Sequence, residues 1–242
     1  MVTVRGSRAL VTGAGRGLGR VFTEALLERG APTVYGGARD PETVSVPGVV
    51  PVQLDITDPD QVAAAAARCG DVDILINNAG IMRLAPLLTA PDTAAARAEM
   101  ETNYFGTLAM CRAFAPVLAA NGGGALVNVL SVVSWLAVPF NGSYAASKSA
   151  AWALTNAARV ELRRQGTQVI GVYASFIDTD MAAGAALPKI SPQEVARQVL
   201  DGIEAGAEEV LTDQRTRSVK AALPDDLAQL YPPLQEAWDA MG

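Results

Sequence analysis

The sequence predicts an α/β fold wound as a doubly wound parallel sheet, and three observations carry that expectation. Between Arg8 and Leu211, short apolar runs alternate with amphipathic helical patterns. A glycine-rich loop separates the first run from the first helix, and small or polar residues collect where each later run ends. The 242 residues suit one such domain, 1–242.

Half of the residues are hydrophobic and 18% are charged, which favours a large core over disorder. Lys and Arg number 19 against 25 Asp and Glu, a net charge of −6. That balance argues against nucleic acid or an anionic membrane as partner and leaves a small molecule. Cys69 and Cys111 stand alone and histidine is absent, so a disulfide framework, a His-containing metal site and Ser-His catalysis are set aside. The cysteines read as buried free thiols. No cleavable leader precedes the first strand, and Asn128, Ser131, Ser134 and Pro139 interrupt the apolar stretch 125–140. A soluble, cytoplasmic protein is expected.

In chain order, Arg8–Thr12 is a strand, Gly13-Ala-Gly-Arg-Gly-Leu-Gly19 a loop, and Val21 to Leu27 a helix. Such a loop brings backbone N–H groups to a helix N-terminus, where a pyrophosphate is favoured. Leu18 occupies the place of a glycine in G-x-G-x-x-G, so the spacing is T-G-x-x-x-G-x-G. Strands follow at 33–36, 49–54 and 73–77, with a helix from Pro59 to Arg68. Asp58 reads as its N-cap, which leaves Asp55 for an adenine. A long helix is expected from about Thr93 to Asn121, with Asn103 mid-helix and, by residue type alone, exposed. Then come a strand at 125–130, a helix from Ser143 to about Arg164 and a strand at 168–173. A small-residue loop reaches Ile190, Ser191 caps a helix, and Glu209–Leu211 is a last short strand.

Tyr144 and Lys148 lie four apart on a helix and share a face. An ammonium about 5 Å away, at an effective dielectric of about 20, favours a phenolate by roughly 3 kcal/mol, or about two pKa units. Ser131, at the end of the fifth strand, is placed to hydrogen-bond the same substrate oxygen.

These motifs together resemble the short-chain dehydrogenase/reductase family: Thr12-Gly13-x3-Gly17-x-Gly19, Asp55, Asn77-Asn-Ala-Gly80, Asn103, and Ser131 with Tyr144-x3-Lys148, in order across residues 8–181. The resemblance implies a Rossmann-type sheet of about seven strands, a nicotinamide cofactor and hydride transfer at a carbonyl carbon. It implies catalytic roles for Ser131, Tyr144 and Lys148, and it reassigns Asn103 to holding a relay water. Cofactor contacts are implied at Gly13, Arg16, Gly17, Leu18, Gly19, Arg39, Asp55, Ile56, Asn78, Ala79, Gly80, Tyr144, Lys148, Ile177 and Thr179. Ser134, Ser143 and Ser147 are left as ordinary polar residues. The chain departs from the family at Ala174-Ser175, where Pro-Gly is usual, so the pocket wall is expected to differ.

The second strand ends Tyr35-Gly-Gly-Ala-Arg39 without a carboxylate to accept ribose hydroxyls, and Arg39 and Arg16 suit a 2′-phosphate. NADP(H) is therefore expected over NAD(H), although a one-residue slip around Gly36-Gly37 would move Arg39 off the ribose. The expected substrate is a small, mostly apolar ketone or secondary alcohol, lined by Met82, Leu84, Trp135, Phe140 and the loop 182–190. A ketoreductase for carrier-bound 3-oxoacyl thioesters is the enzymatic alternative, and a cofactor-sensing binding module the non-enzymatic one. The resemblance and the alanine-rich helices predict a homodimer or homotetramer.

Overall fold

The computed structural model describes residues 2–184 and 187–240. Seven parallel strands form one sheet in the order β3-β2-β1-β4-β5-β6-β7. They are β1 (Arg8–Thr12), β2 (Thr33–Ala38), β3 (Val49–Gln53), β4 (Ile74–Asn77), β5 (Ala125–Val129), β6 (Gln168–Tyr173) and β7 (Glu209–Leu211). The chain winds outward from β1 to β3, then crosses back to β4 and winds the other way. That reversal opens a crevice at the carboxyl ends of β1 and β4, where ligands of such sheets bind.

Two hydrophobic layers close the faces. One contains Phe22 and Leu26 of α1 (Gly17–Glu28) and Val195, Val199 and Leu200 of α6 (Pro192–Ala205). The other contains Val62 of α2 (Pro59–Arg68), Met110, Phe114 and Leu118 of a helix over 107–120, and Ala158 of a helix over 142–161. Full burial of side chains such as Phe22 and Phe114 is worth about 1.5–3 kcal/mol each. The helix caps follow the sequence: Asp58 accepts the N–H groups of Asp60 and Gln61, Ser191 that of Glu194, and Pro59 and Pro192 sit at the first helical position.

β2 runs two residues further than expected, because Gly36 and Gly37 pair with both neighbours, Gly37 beside Thr12 and Val52. Glycine is needed there: a Cβ on Gly36 would stand 2.7 Å from Val44 Cγ1. The long helix expected over 93–121 is interrupted. It forms α3 (Ala94–Met100), a π turn (Glu101–Gly106) and α4 (Thr107–Ala120). Glycine is needed at the end of this turn, since a Cβ on Gly106 would meet Ile56 Cγ1 at 2.7 Å.

A helix α5 (Gly142–Glu161) precedes β6, and three helices follow β7: α7 (Gln214–Ala222), α8 (Asp226–Gln229) and α9 (Tyr231–Asp239). The periodicity of the last thirty residues is weak and the sequence suggested no element there. Leu230, Tyr231 and Leu234 pack against Val132, Val133, Leu136 and Ala145, in a cluster that includes the Tyr144 ring.

Inside the sheet, Asn77 of β4 and Asn128 of β5 are register partners. Asn77 Nδ2 donates to Asn128 Oδ1 at 2.9 Å, and Asn128 Nδ2 donates to Thr155 Oγ1 of α5 at 2.9 Å. Among the described residues, no helix is long and apolar enough to cross a membrane.

Candidate active site

The carboxyl ends of β1, β4, β5 and β6 carry the residues singled out above. Thr12 Oγ1 accepts the N–H groups of Asn78 and Ala79, each at 3.0 Å, and Asn78 Nδ2 returns a bond to the Thr12 carbonyl at 2.9 Å. The glycine loop is thereby bound to the Asn78-Ala-Gly80 turn. Gly13 has φ +68 and a Cβ there would lie 3.0 Å from Ala79 Cα, so both conformation and space require glycine. Helix α1 begins without any side-chain cap, at Arg16 in extended conformation. Its first N–H groups are free of a side-chain acceptor, the arrangement that receives a phosphate. Gly17 (φ +53) faces Thr179, whose Cγ2 would be 3.5 Å from a Cβ at that position. Leu18 sends its side chain into the core, leaving only its backbone for a ligand, and Gly19 packs against Gly13 and Asn78.

At the adenosine end, Ala38 is the last residue of β2 and Arg39 the first beyond it. Gly37 pairs with Thr12 of β1 and Val52 of β3, and Ala38 with Gln53. Arg16 and Arg39 are exposed, and neither guanidinium has a partner among the described residues. Asp40, the nearest carboxylate, caps the following turn by accepting the Glu42 N–H at 3.0 Å. Asp55 is half-buried, with Oδ1 held by the N–H and hydroxyl of Thr57, and Ile56 is buried beside it. The residues present fit a dinucleotide: an uncapped helix start lies over a glycine loop, and the end of β2 carries no carboxylate.

Ser131, Tyr144 and Lys148 come together where β5 meets α5. Ser131 is buried just after β5, its Oγ accepting from the Val133 N–H at 3.3 Å and reaching the Ala174 carbonyl at 3.5 Å. Tyr144 is half-buried, with Ser131 near enough to its phenol to lower its proton affinity. Lys148 is buried, donates from Nζ to the Val129 carbonyl at 2.9 Å, and lies 5.8 Å from the Tyr144 ring centroid. Asn103 is also buried, against the exposure expected from residue type. In the π turn its side chain accepts the Ile81 N–H and donates to the Ile81 carbonyl, both at 2.9 Å, and also donates to Ser147 Oγ at 2.9 Å. A mid-helix Asn is costly when its amide has nothing to bind, and here every polar atom is used.

The electrostatics of the protein alone run opposite to the lysine-activated phenol. Burial pushes Tyr144 up to about 12, opposed by the Ser131 hydrogen bond and reinforced by the charge of Glu99. Burial pushes Lys148 down to about 8. The main origin of both shifts is the loss of water around a charge.

Several functional positions were not legible in the sequence. Ser143 and Ser147, left as ordinary, are both engaged: Ser143 Oγ donates to Glu99 Oε2 at 2.5 Å, and Ser147 Oγ donates to the Tyr144 carbonyl at 2.8 Å. Glu99 is wholly buried and carried no motif. In place of Pro-Gly, the Ser175 N–H donates to Asp213 Oδ2 at 2.8 Å, which fastens this wall to the start of α7. Ile177 bridges to Ile190, with Ile190 N–H on the Phe176 carbonyl at 2.9 Å. Of the expected pocket residues, Leu84 and Phe140 are exposed at 62% and 42% and free to meet a substrate. Met82 Sδ instead accepts from Asn141, and Trp135 is stacked on Tyr173 at 4.1 Å. Of the loop 182–190, residues 185 and 186 lie outside the described residues.

Comparison with known proteins agrees with this geometry. Residues 7–188 match the sequence profile of the short chain dehydrogenases. The chain belongs to the short-chain dehydrogenase family. A short-chain dehydrogenase from Burkholderia cenocepacia, solved with NADP, is 48% identical with a TM-score of 0.92, over 96% of this chain and 99% of that one. A gluconate 5-dehydrogenase from the same organism, solved with NADP and tartrate, is 28% identical with a TM-score of 0.81, over 89% and 97%. D-erythrulose reductase of Gallus gallus is 35% identical over 185 residues, 74% of this chain and 75% of that protein. This short-chain dehydrogenase is thus a nicotinamide-dependent oxidoreductase acting on CH–OH or C=O groups of a small molecule.

Proposed function

We propose that this enzyme transfers hydride between NADP(H) and a small, mostly apolar ketone or secondary alcohol, with Tyr144 as the general acid and base. The observation that carries the reading is the meeting of Ser131, Tyr144 and Lys148 at the end of β5, with Lys148 Nζ on the Val129 carbonyl at 2.9 Å and 5.8 Å from the Tyr144 ring centroid. Bound nicotinamide supplies or accepts the hydride. In reduction the carbonyl carbon gains that hydride, and the Tyr144 hydroxyl gives its proton to the resulting alkoxide. Ser131 Oγ donates to the same oxygen and stabilises its developing charge. Lys148 would hold the ribose of the bound nicotinamide and so orient it towards the proton donor.

NADP(H) is favoured over NAD(H) because two exposed, unpaired guanidiniums, Arg16 and Arg39, flank a strand end with Ala38 where a carboxylate would repel phosphate. The exposed apolar side chains Leu84, Leu87 and Phe140 support an apolar substrate. The test is to mix purified enzyme with NADPH and a panel of small ketones and follow NADPH absorbance. Reduction of apolar ketones is expected. A panel that NADPH fails to reduce, with cofactor binding intact, would sink the substrate class.

A further inference from the structure

The catalytic face of α5 is tied to its neighbour by two parallel polar rungs. Asn103 bonds Ser147 at 2.9 Å, and Glu99 bonds Ser143 at 2.5 Å. Both rungs also grip one loop: Asn103 holds both polar groups of Ile81, and Glu99 Oε1 accepts the Arg83 N–H at 2.6 Å. Residues 81–84 are therefore clamped to the helix that presents Tyr144. The next residue after Arg83 is Leu84, a non-glycine at φ +51, a conformation that costs of order 1–3 kcal/mol and persists only when its surroundings hold it. Leu84 is 62% exposed, and Leu87 of the same loop lies over Gly142, with its Cβ 2.9 Å from where a Cβ there would be.

Glu99 itself has no exposed surface and no cationic partner among the described residues. A carboxylate so placed is costly unless its hydrogen bonds are all made, and both of its oxygens are used here. An apolar side chain would fill the same place without that cost but would leave the Arg83 N–H and Ser143 hydroxyl unpaired.

We propose that Glu99, through Ser143 and the Arg83 N–H, is a positioning residue that sets the loop 81–88 against Tyr144 and so fixes where the substrate carbonyl sits. It touches neither substrate nor cofactor. The proposal rests on the carbonyl-reductase reading for its kinetic consequence, and its structural consequence is measured separately. Glu99→Ala should speed exchange of the Arg83 amide, whose acceptor is Glu99 Oε1, at least about tenfold. It should raise the ketone KM by about tenfold, with the NADPH Kd within about twofold of wild type. Glu99→Gln keeps an acceptor for the Arg83 N–H and offers an amide to Ser143 Oγ, so it should recover KM to within about threefold. Unchanged exchange in folded Glu99→Ala, or a Gln variant as impaired as the Ala variant, would overturn the proposal. If Glu99→Ala does not fold, Ser143→Ala removes one rung only; unchanged exchange and unchanged ketone KM in that variant are equally fatal. Should wild type reduce no ketone, the functional reading fails, and exchange of the Arg83 amide still decides the role of Glu99.

Discussion

The Lys148 ammonium donates to the Val129 carbonyl at 2.9 Å, so its protein partner is the strand that ends beside Ser131. Burial lowers this lysine to about 8, below its unfolded value of 10.5. The charged form is therefore penalised in the fold at pH 7, and the penalty is relieved as pH rises through about 8 towards 10.5. Lys148→Met should raise the unfolding midpoint of the cofactor-free protein at pH 7 and not at pH 10.5, as measured by thermal denaturation. A destabilised methionine variant at pH 7 would contradict the burial cost.

The same titration predicts cofactor affinity. NADPH binding should weaken severalfold as pH rises from 7 to 9.5, because the ammonium is lost through about 8. Lys148→Ala should bind less tightly at pH 7 and lose most of that pH dependence. Fluorescence titration of NADPH at several pH values measures both.

Tyr144→Phe removes only the proton donor. Its fold and NADPH affinity should be kept, while kcat falls by at least about 100-fold, the usual worth of a positioned general acid. Retention of full turnover would remove Tyr144 from the mechanism.

For cofactor choice, kcat/KM should favour NADPH over NADH by at least about tenfold, equivalent to about 1.4 kcal/mol. Ala38→Asp with Arg39→Ile should reverse the preference, since a carboxylate at the end of β2 accepts ribose hydroxyls and repels the phosphate. Equal use of both cofactors by wild type would show that Arg16 and Arg39 do not reach the phosphate.

Phe105 is 49% exposed and lines an apolar groove of about 430 Å³ with Val62, Leu108 and Arg112, while Trp152 on α5 is 37% exposed. A dimer or tetramer is expected by light scattering at micromolar concentration, and Phe105→Glu should lower the mass. A monomeric wild type would refute the assembly.

Fold and site were legible to different depths. The strands and most helix starts could be read because β-type apolar runs, Pro59, Pro192, Asp58 and Ser191 act locally. The spacing of Ser131, Tyr144 and Lys148 also survived, because helix geometry alone puts the last two on one face. What was missed depends on packing. The close approach of Ile56 to Gly106 in the π turn is a long-range contact, and no local pattern announces it. Glu99 reads as one more charge on an amphipathic helix until α5 is laid against it. The phenol's high proton affinity needs the burial of the whole site, which a two-residue spacing cannot convey. The helices after β7 carry too few periodic apolar residues to be distinguished from a polar tail.

The asparagine pair in the centre of the sheet bears on how the strands find one another during folding. Asn77 and Asn128 stand opposite each other, and Asn128 reaches on to Thr155. β4 and β5 are otherwise short runs of Ile, Leu and Val that would pair about equally well one step out of line. A one-step shift would turn the Asn77 amide to the opposite face and strand it in hydrocarbon, at a cost of about 1–3 kcal/mol, while Asn128 keeps Thr155. The two amides thus act as a key: they add little to the depth of the correct alignment, but they make the neighbouring misalignments expensive. Because Gly80 and Ser131 each follow closely on one of these strands, the key also decides, before any ligand arrives, that the two halves of the site meet at the same height.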